Sequence, residues 1–199
     1  MKRILIIGGG AAGIAAALTA KHHAPEAEVL LLERLDRVGK KILATGNGRC
    51  NLTNMQAGMP HFHSSDRGTL KAALQGMEPQ VVLDFFRAMG LLCQEEDEGR
   101  VYPYCKQASM VLDVLLQALE RANIRVCCNT TVTAIGQNRG KFTVKTADGG
   151  SLTADRVILT CGGKAAPKLG SDGSGYALAK ALGHSCTPLV PALVALKCD

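Results

Sequence analysis

ILIIGGGAAGIAAALTAKH, residues 4–22, and EVLLLE, residues 28–33, carry the reading that decides the fold. Ile4–Ile7 is a short, wholly apolar run, the pattern of a strand buried on both faces. Gly8–Gly13 breaks it as a turn. Ala11–His22 is rich in alanine and predicts a helix, and Glu28–Glu33 predicts a second buried strand. Strand, helix and strand within about thirty residues make a right-handed βαβ unit on a parallel sheet. The turn reads GxGxxG at Gly8, Gly10 and Gly13. Such spacing gives a tight turn, a bare backbone that a pyrophosphate can approach, and a helix packed close on its strand. The helix N-terminus then offers free N–H groups and partial positive charge to an anion. Glu33, at the end of the second strand, is placed to accept hydrogen bonds from the two hydroxyls of an adenosine ribose.

Composition narrows the class. The chain has 199 residues, 47% of them hydrophobic and 20% charged, so it can bury a core and is not a disordered chain. Its net charge of +6 suits an anionic cofactor or substrate as well as a nucleic acid. Aromatic residues are only 4% and Trp is absent, which argues against a base-stacking surface, so no nucleic-acid partner is expected. The eight cysteines form no CxxC and no zinc spacing. They read as reduced, packed thiols of a cytoplasmic protein. No stretch of about 18 apolar residues occurs, so no membrane span is expected.

Residues 34–68 lack periodicity and read as a long functional loop. Within it stands ATGNGRCN, residues 44–51. Gly46 and Gly48 weaken any regular element there, and Arg49 adds a planar cation. Pro79–Met89 and Ser109–Ala122 predict helices, the second with Ser109 as N-cap. Glu95–Glu98 reads as a solvated acidic turn. The period then changes. Ile124–Cys127, Thr131–Ile135, Lys141–Thr146, Ser151–Thr153, Arg156–Cys161 and Ala192–Lys197 predict strands, with a helix at Gly175–Leu182. His61 and His63 form HxH, a weak metal signal best read as surface histidines.

Three stretches, GKKILATGNGRCNLTN, EEDEGRVYPYCKQASMVLDVL and VILTCGGKAAPKLGSDGSGYALAKALGHS, resemble the BaiN-like family of NAD(P)/FAD-dependent oxidoreductases, also labelled the aminoacetone oxidase family. These are flavoproteins of the glutathione-reductase type. The resemblance runs from Met1 to about Leu196. Where the family commonly carries a third glycine, this chain has Asn47, which also tolerates positive φ.

The fold implied is α/β: a Rossmann-like FAD-binding domain with helices on both faces of a parallel sheet and a small antiparallel β-meander near residues 130–154. Residues 1–199 are expected to be one such domain and an N-terminal fragment of a longer chain, with a second domain starting near 190–199. The implied cofactor is FAD, with NAD(P)H as a transient electron donor. The implied substrate is a small molecule, and reduction of a conjugated C=C bond is the reaction suggested.

Residues implied to hold FAD are Gly8, Gly10, Ala11, Ala12, Gly13, Glu33, Arg34, Gly39, Lys40, Lys41, Thr45, Gly46, Asn47, Gly48, Arg49, Asn51, Val132, Cys161, Gly162, Gly163 and Gly173. Thr45–Asn51 is implied to lie against the ribityl chain and isoalloxazine. Arg49 is either a phosphate or flavin contact or a clamp on a backbone carbonyl. Cys50 reads as a packed thiol, and Lys164 and Lys168 either neutralise phosphate or are solvated. Tyr102, Tyr104 and His184 are proton-donor candidates by chemical type alone. An RNA-modifying flavoprotein and an inactive FAD-binding fragment stand as alternatives.

Overall fold

The computed structural model describes residues 1–191, so the expected strand Ala192–Lys197 and the start of a second domain lie outside the described residues. The chain divides into two compact units, residues 1–40 with 122 onward, and residues 41–121.

The first unit holds a four-stranded parallel sheet. Its strands are β1 (Arg3–Ile7), β2 (Glu28–Leu32), β6 (Arg125–Cys127) and β10 (Arg156–Leu159), in the order β10-β1-β2-β6. Ile4 pairs with Arg156 on one side of β1 and with Val29 on the other. The chain therefore leaves β1 toward β2 and returns on its opposite flank. Such a switch point opens a crevice beyond the carboxyl end of the central strand. The helix α1 (Ala11–His23) follows β1 and buries Gly13, Ile14 and Ala17. Alternate residues of a strand face opposite ways. Leu5, Ile7, Leu30 and Leu32 point to one face, where they join Ile135, Val144, Ala154 and Leu178 in a single core. Those partners come from an antiparallel meander, β7 (Val132–Asn138), β8 (Lys141–Thr146) and β9 (Ser151–Ala154), and from the helix α5 (Ser174–Ala181). β10 stops at Leu159, short of the expected Cys161, because Thr160 turns to the glycine loop of β1.

The second unit contains a small antiparallel sheet, β3 (Thr53–Asn54), β5 (Arg100–Pro103) and β4 (Cys93–Glu95), in the order β3-β5-β4. Its helices are α2 (Arg67–Leu74), α3 (Pro79–Ala88) and α4 (Ala108–Arg121). Three expectations change here. The long loop 34–68 carries 3-10 turns at Ile42–Gly48 and Met59–His61 as well as β3. The helix α4 begins at Ala108, so Ser109 lies inside its first turn and is not the N-cap. Glu95–Glu98 is not a plain solvated turn. Glu95 belongs to β4, and the Glu96 carboxylate takes Arg49 at 3.0 Å and Lys106 at 2.7 Å. These two cations hold it below the usual carboxylate range, the Lys106 hydrogen bond first.

Candidate functional site

The glycine turn is held from three directions. A Cβ on Gly8 would stand 2.6 Å from the Thr160 carbonyl oxygen, and one on Gly13 would overlap the Gly8 carbonyl oxygen. The Thr160 hydroxyl is 3.0 Å from the Ile7 carbonyl and 2.8 Å from that of Gly8, so it ties β10 to the turn. Gly9 donates to Glu33 Oε2 at 2.7 Å, and Gly39 donates to the Gly9 carbonyl at 2.7 Å. A Cβ on Gly9 would strike Val38. Gly10 is the exception, for a Cβ there would meet nothing within 4 Å. No side chain caps α1, and Ala11 and Ala12 are exposed in its first turn. One end of this helix thus presents bare N–H groups beside open space.

Glu33 is buried, with 9% of its surface exposed, and both oxygens are engaged. Oε2 accepts from Gly9, and Oε1 accepts from the Leu35 amide at 2.8 Å. Each carboxylate oxygen has a second lone pair, so acceptor capacity remains. Next to it opens a cleft of about 80 Å³, lined by Ile7, Gly8, Leu32, Glu33, Arg34, Thr130, Thr131, Val132, Cys161, Gly170, Ser174 and Leu178. Apolar side chains share this lining with one carboxylate and one guanidinium. Arg34 is anchored across the cleft, to Asp172 at 2.5 Å and to the Gly170 carbonyl at 2.9 Å. Burial pushes the Cys161 thiol up, and Glu33 adds to that shift; Cys161 Sγ lies 3.3 Å from the Ile7 carbonyl. Gly162 and Gly173 take positive φ in the loop that leads to α5, and Gly163 is half-buried beside Tyr176. Lys164 and Lys168 are exposed. Lys40 lies 3.9 Å from Asp36, and Lys41 is exposed at the start of the second unit.

The second unit contains the ATGNGRCN stretch. Gly46, Asn47 and Gly48 take φ of 54°, 55° and 80°, three left-handed residues in succession. Asn47 therefore adopts the conformation for which the family uses glycine. Thr45 is half-buried, its hydroxyl donating to the Ile42 carbonyl, and Asn51 is exposed. Arg49 pairs with Glu96 and lies 4.1 Å from the centroid of the Tyr102 ring. It clamps a carboxylate and a ring, an arrangement outside the two alternatives read from sequence. Tyr102 is buried under that cation, whereas Tyr104 and His184 are exposed. Cys50 is buried and its thiol is pushed up by desolvation, with a Thr45 hydrogen bond opposing. His61 and His63 are exposed, and no metal-holding cluster occurs among the described residues.

Several residues of the site escape a motif reading. Thr160, Val38, Gly9 and Asp172 shape the turn and cleft from outside GxGxxG. A doubled signal existed for Gly9, the middle of three consecutive glycines. Asp172 and Arg34 are 138 positions apart, and only the fold brings them together.

Sheet, switch point and glycine turn define a Rossmann-type domain. The chain belongs to the HI0933-like family, since the model of the HI0933-like protein Rossmann domain matches residues 2–195. The resemblance to the BaiN-like group holds. The chain is 46% identical over 197 residues to the 3-dehydro-bile acid delta(4,6)-reductase of Clostridium scindens, covering 99% of this chain and 48% of that protein. It is 27% identical over 191 residues to the ribosomal RNA dihydrouridine synthase of Escherichia coli K12, covering 96% and 46%. It therefore spans about half the length of the curated relatives it matches. Among solved structures, the open form of a flavocytochrome c3 fumarate reductase aligns with a TM-score of 0.61 at 18% identity, covering 90% of this chain and 40% of that one. Thermovibrio ammonificans THI4 aligns at 0.55 and 13%, covering 81% and 57%. These two are alike in fold.

Proposed function

We propose that this chain is the FAD-holding part of a flavoprotein oxidoreductase that saturates a conjugated C=C bond of a small organic acceptor, with NAD(P)H as electron donor. The observation that carries the reading is the open space at Gly10. Protein atoms fill the Cβ positions of Gly8, Gly9 and Gly13, and only Gly10 faces a clearing at the uncapped start of α1. A pyrophosphate fits there, and the N–H groups of the first turn would hold it. Glu33, with lone pairs to spare, would take the ribose hydroxyls, and the apolar lining of the cleft, Val132 among it, would take adenine. Thr45–Asn51 is assigned to the flavin side on family resemblance, and its run of left-handed backbone suits close approach to a flat ring.

Bound FAD supplies the hydride chemistry, and the protein supplies binding, orientation and exclusion of water. The relatives favour the reaction type: a delta(4,6)-reductase and a dihydrouridine synthase are by name both enzymes that add hydrogen across a double bond. The higher identity to the first favours a small-molecule acceptor. The second reading, an RNA acceptor, draws on the second relative and on the net charge of +6. The seven described cysteines are all free, which suits a reducing, cytoplasmic setting.

Titration of the purified chain with FAD tests the reading. FAD binds, ADP competes for the site, and FMN, which lacks the adenosine half, does not. Competition by FMN but not ADP would overturn the assignment of the turn and cleft. Binding to ribosomal RNA that weakens steeply with salt would favour the second reading.

A further inference from the structure

Arg34 and Asp172 form an arrangement that no motif assigns. The Asp172 carboxylate uses its two oxygens for different elements. Oδ2 accepts from Arg34 at 2.5 Å, and Oδ1 accepts from the Ser174 amide, the first of α5, at 3.0 Å. A second guanidinium nitrogen donates to the Gly170 carbonyl at 2.9 Å. The side chains of Arg34 and Asp172 are 29% and 35% exposed. At that exposure an ion pair adds little to stability, so stability alone does not explain the arrangement. Its consequence is geometric. A guanidinium is planar, and two hydrogen bonds to separate acceptors fix its plane. Arg34 lines the same cleft as Glu33, Val132 and Leu178. The cleft thus has apolar walls and one immobilised planar cation, the combination that stacks on a purine ring.

We propose that Asp172 is a positioning residue for adenine in the cleft: it acts through Arg34, holding the guanidinium flat for a purine base, while its other oxygen separately accepts from the first amide of α5. The proposal rests on the nucleotide reading above. It assigns the two oxygens of one carboxylate to two tasks, and a substitution can separate them. Asn keeps one oxygen for the Ser174 amide, but it cannot hold the guanidinium with a full charge at the same time. Lys at position 34 keeps a positive charge but loses the plane and the second bond.

The test is isothermal titration of the whole chain with ADP as probe, beside thermal melts. Asp172→Asn weakens ADP by about five- to tenfold, within the range of coupled residues in one network, with little change in melting temperature. Arg34→Lys weakens it by at least as much. The double variant is no weaker than Arg34→Lys alone, because Asp172 acts only through Arg34. A role confined to the Ser174 amide predicts the opposite pattern, a lowered melting temperature with unchanged affinity. Asp172→Ser, which also keeps an acceptor oxygen, repeats the measurement if Asp172→Asn fails to fold. Native ADP affinity in Asp172→Asn, or additive losses in the double variant, overturns the proposal while leaving the nucleotide site standing. Failure of the unaltered chain to bind ADP overturns the nucleotide reading itself.

Discussion

Gly10 and Gly13 stand three positions apart in one turn and differ in what surrounds them. A side chain at Gly13 would run into the Gly8 carbonyl, so Gly13→Ala forces α1 off β1. A side chain at Gly10 would enter open space. We expect Gly10→Val to keep native circular dichroism and lose FAD binding, and Gly13→Ala to lose stability by about 1–3 kcal/mol, the usual cost of overpacking. Urea melts and FAD titrations on both variants check this, and a Gly10→Val variant with normal affinity would remove the phosphate from that spot. Glu33 is less simple to test. It holds the Gly9 and Leu35 amides, so Glu33→Ala would damage the turn as well as any ribose contact. The motif made Gly8, Gly10 and Gly13 legible from spacing alone. It did not reveal that Val38 makes Gly9 as restricted as Gly8 and Gly13, because that contact depends on how the loop after β2 folds back.

Where elements meet, the tie between β2 and α5 has a pH signature. The Ser174 amide, and then Arg34, hold the Asp172 carboxyl down from an ordinary 3.8 to about 2. A folded pKa below the unfolded one means the group stabilises the fold fully above the unfolded value. That contribution fades as pH falls from near 4 toward 2. A carboxyl-carbon NMR titration should therefore place Asp172 near 2, and a midpoint close to 4 would refute its pairing with the Ser174 amide and Arg34. Several elements could be read from sequence: β1 and β2 as continuous apolar runs, α1 from its alanines after the glycine turn, α3 and α4 from their helical period, and the meander from short strands set between turns. β4, β5 and α2 could not. Cys93–Glu95 and Arg100–Pro103 are three and four residues long and are strands because they pair with each other. α2 is only eight residues long and opens on RGT, so its helical pattern has little room to show. One signal was available for it, since Asp66 caps the Thr69 amide in the way an aspartate three residues ahead of a threonine can.

For the molecule as a whole, every residue of the cleft and of the glycine turn belongs to the unit formed by residues 1–40 and 122 onward. We expect ADP to slow amide hydrogen exchange at residues 8–13, 33–35, 130–132 and 161–174, and to leave α3, α4 and β5 unchanged. Protection concentrated in 41–121 instead would move the adenosine site out of the first unit. The division into those units could not be read from sequence either. A contact-defined boundary at residue 40 falls inside GKK, a stretch whose family motif runs on without a break.

The pairing of Ile4 with Arg156 has a consequence for biosynthesis. In synthesis β1, α1 and β2 precede β10, so β1 has no neighbour on its β10 side until residues 156–159 leave the ribosome. Residues 41–121, a compact unit of their own, emerge in between. Distant pairings form slowly, and an unpaired strand edge is prone to aggregate while it waits. A strand made early thus waits for a partner made more than a hundred residues later, and the apolar residues of β1 are exposed to chaperones and to aggregation in the interval.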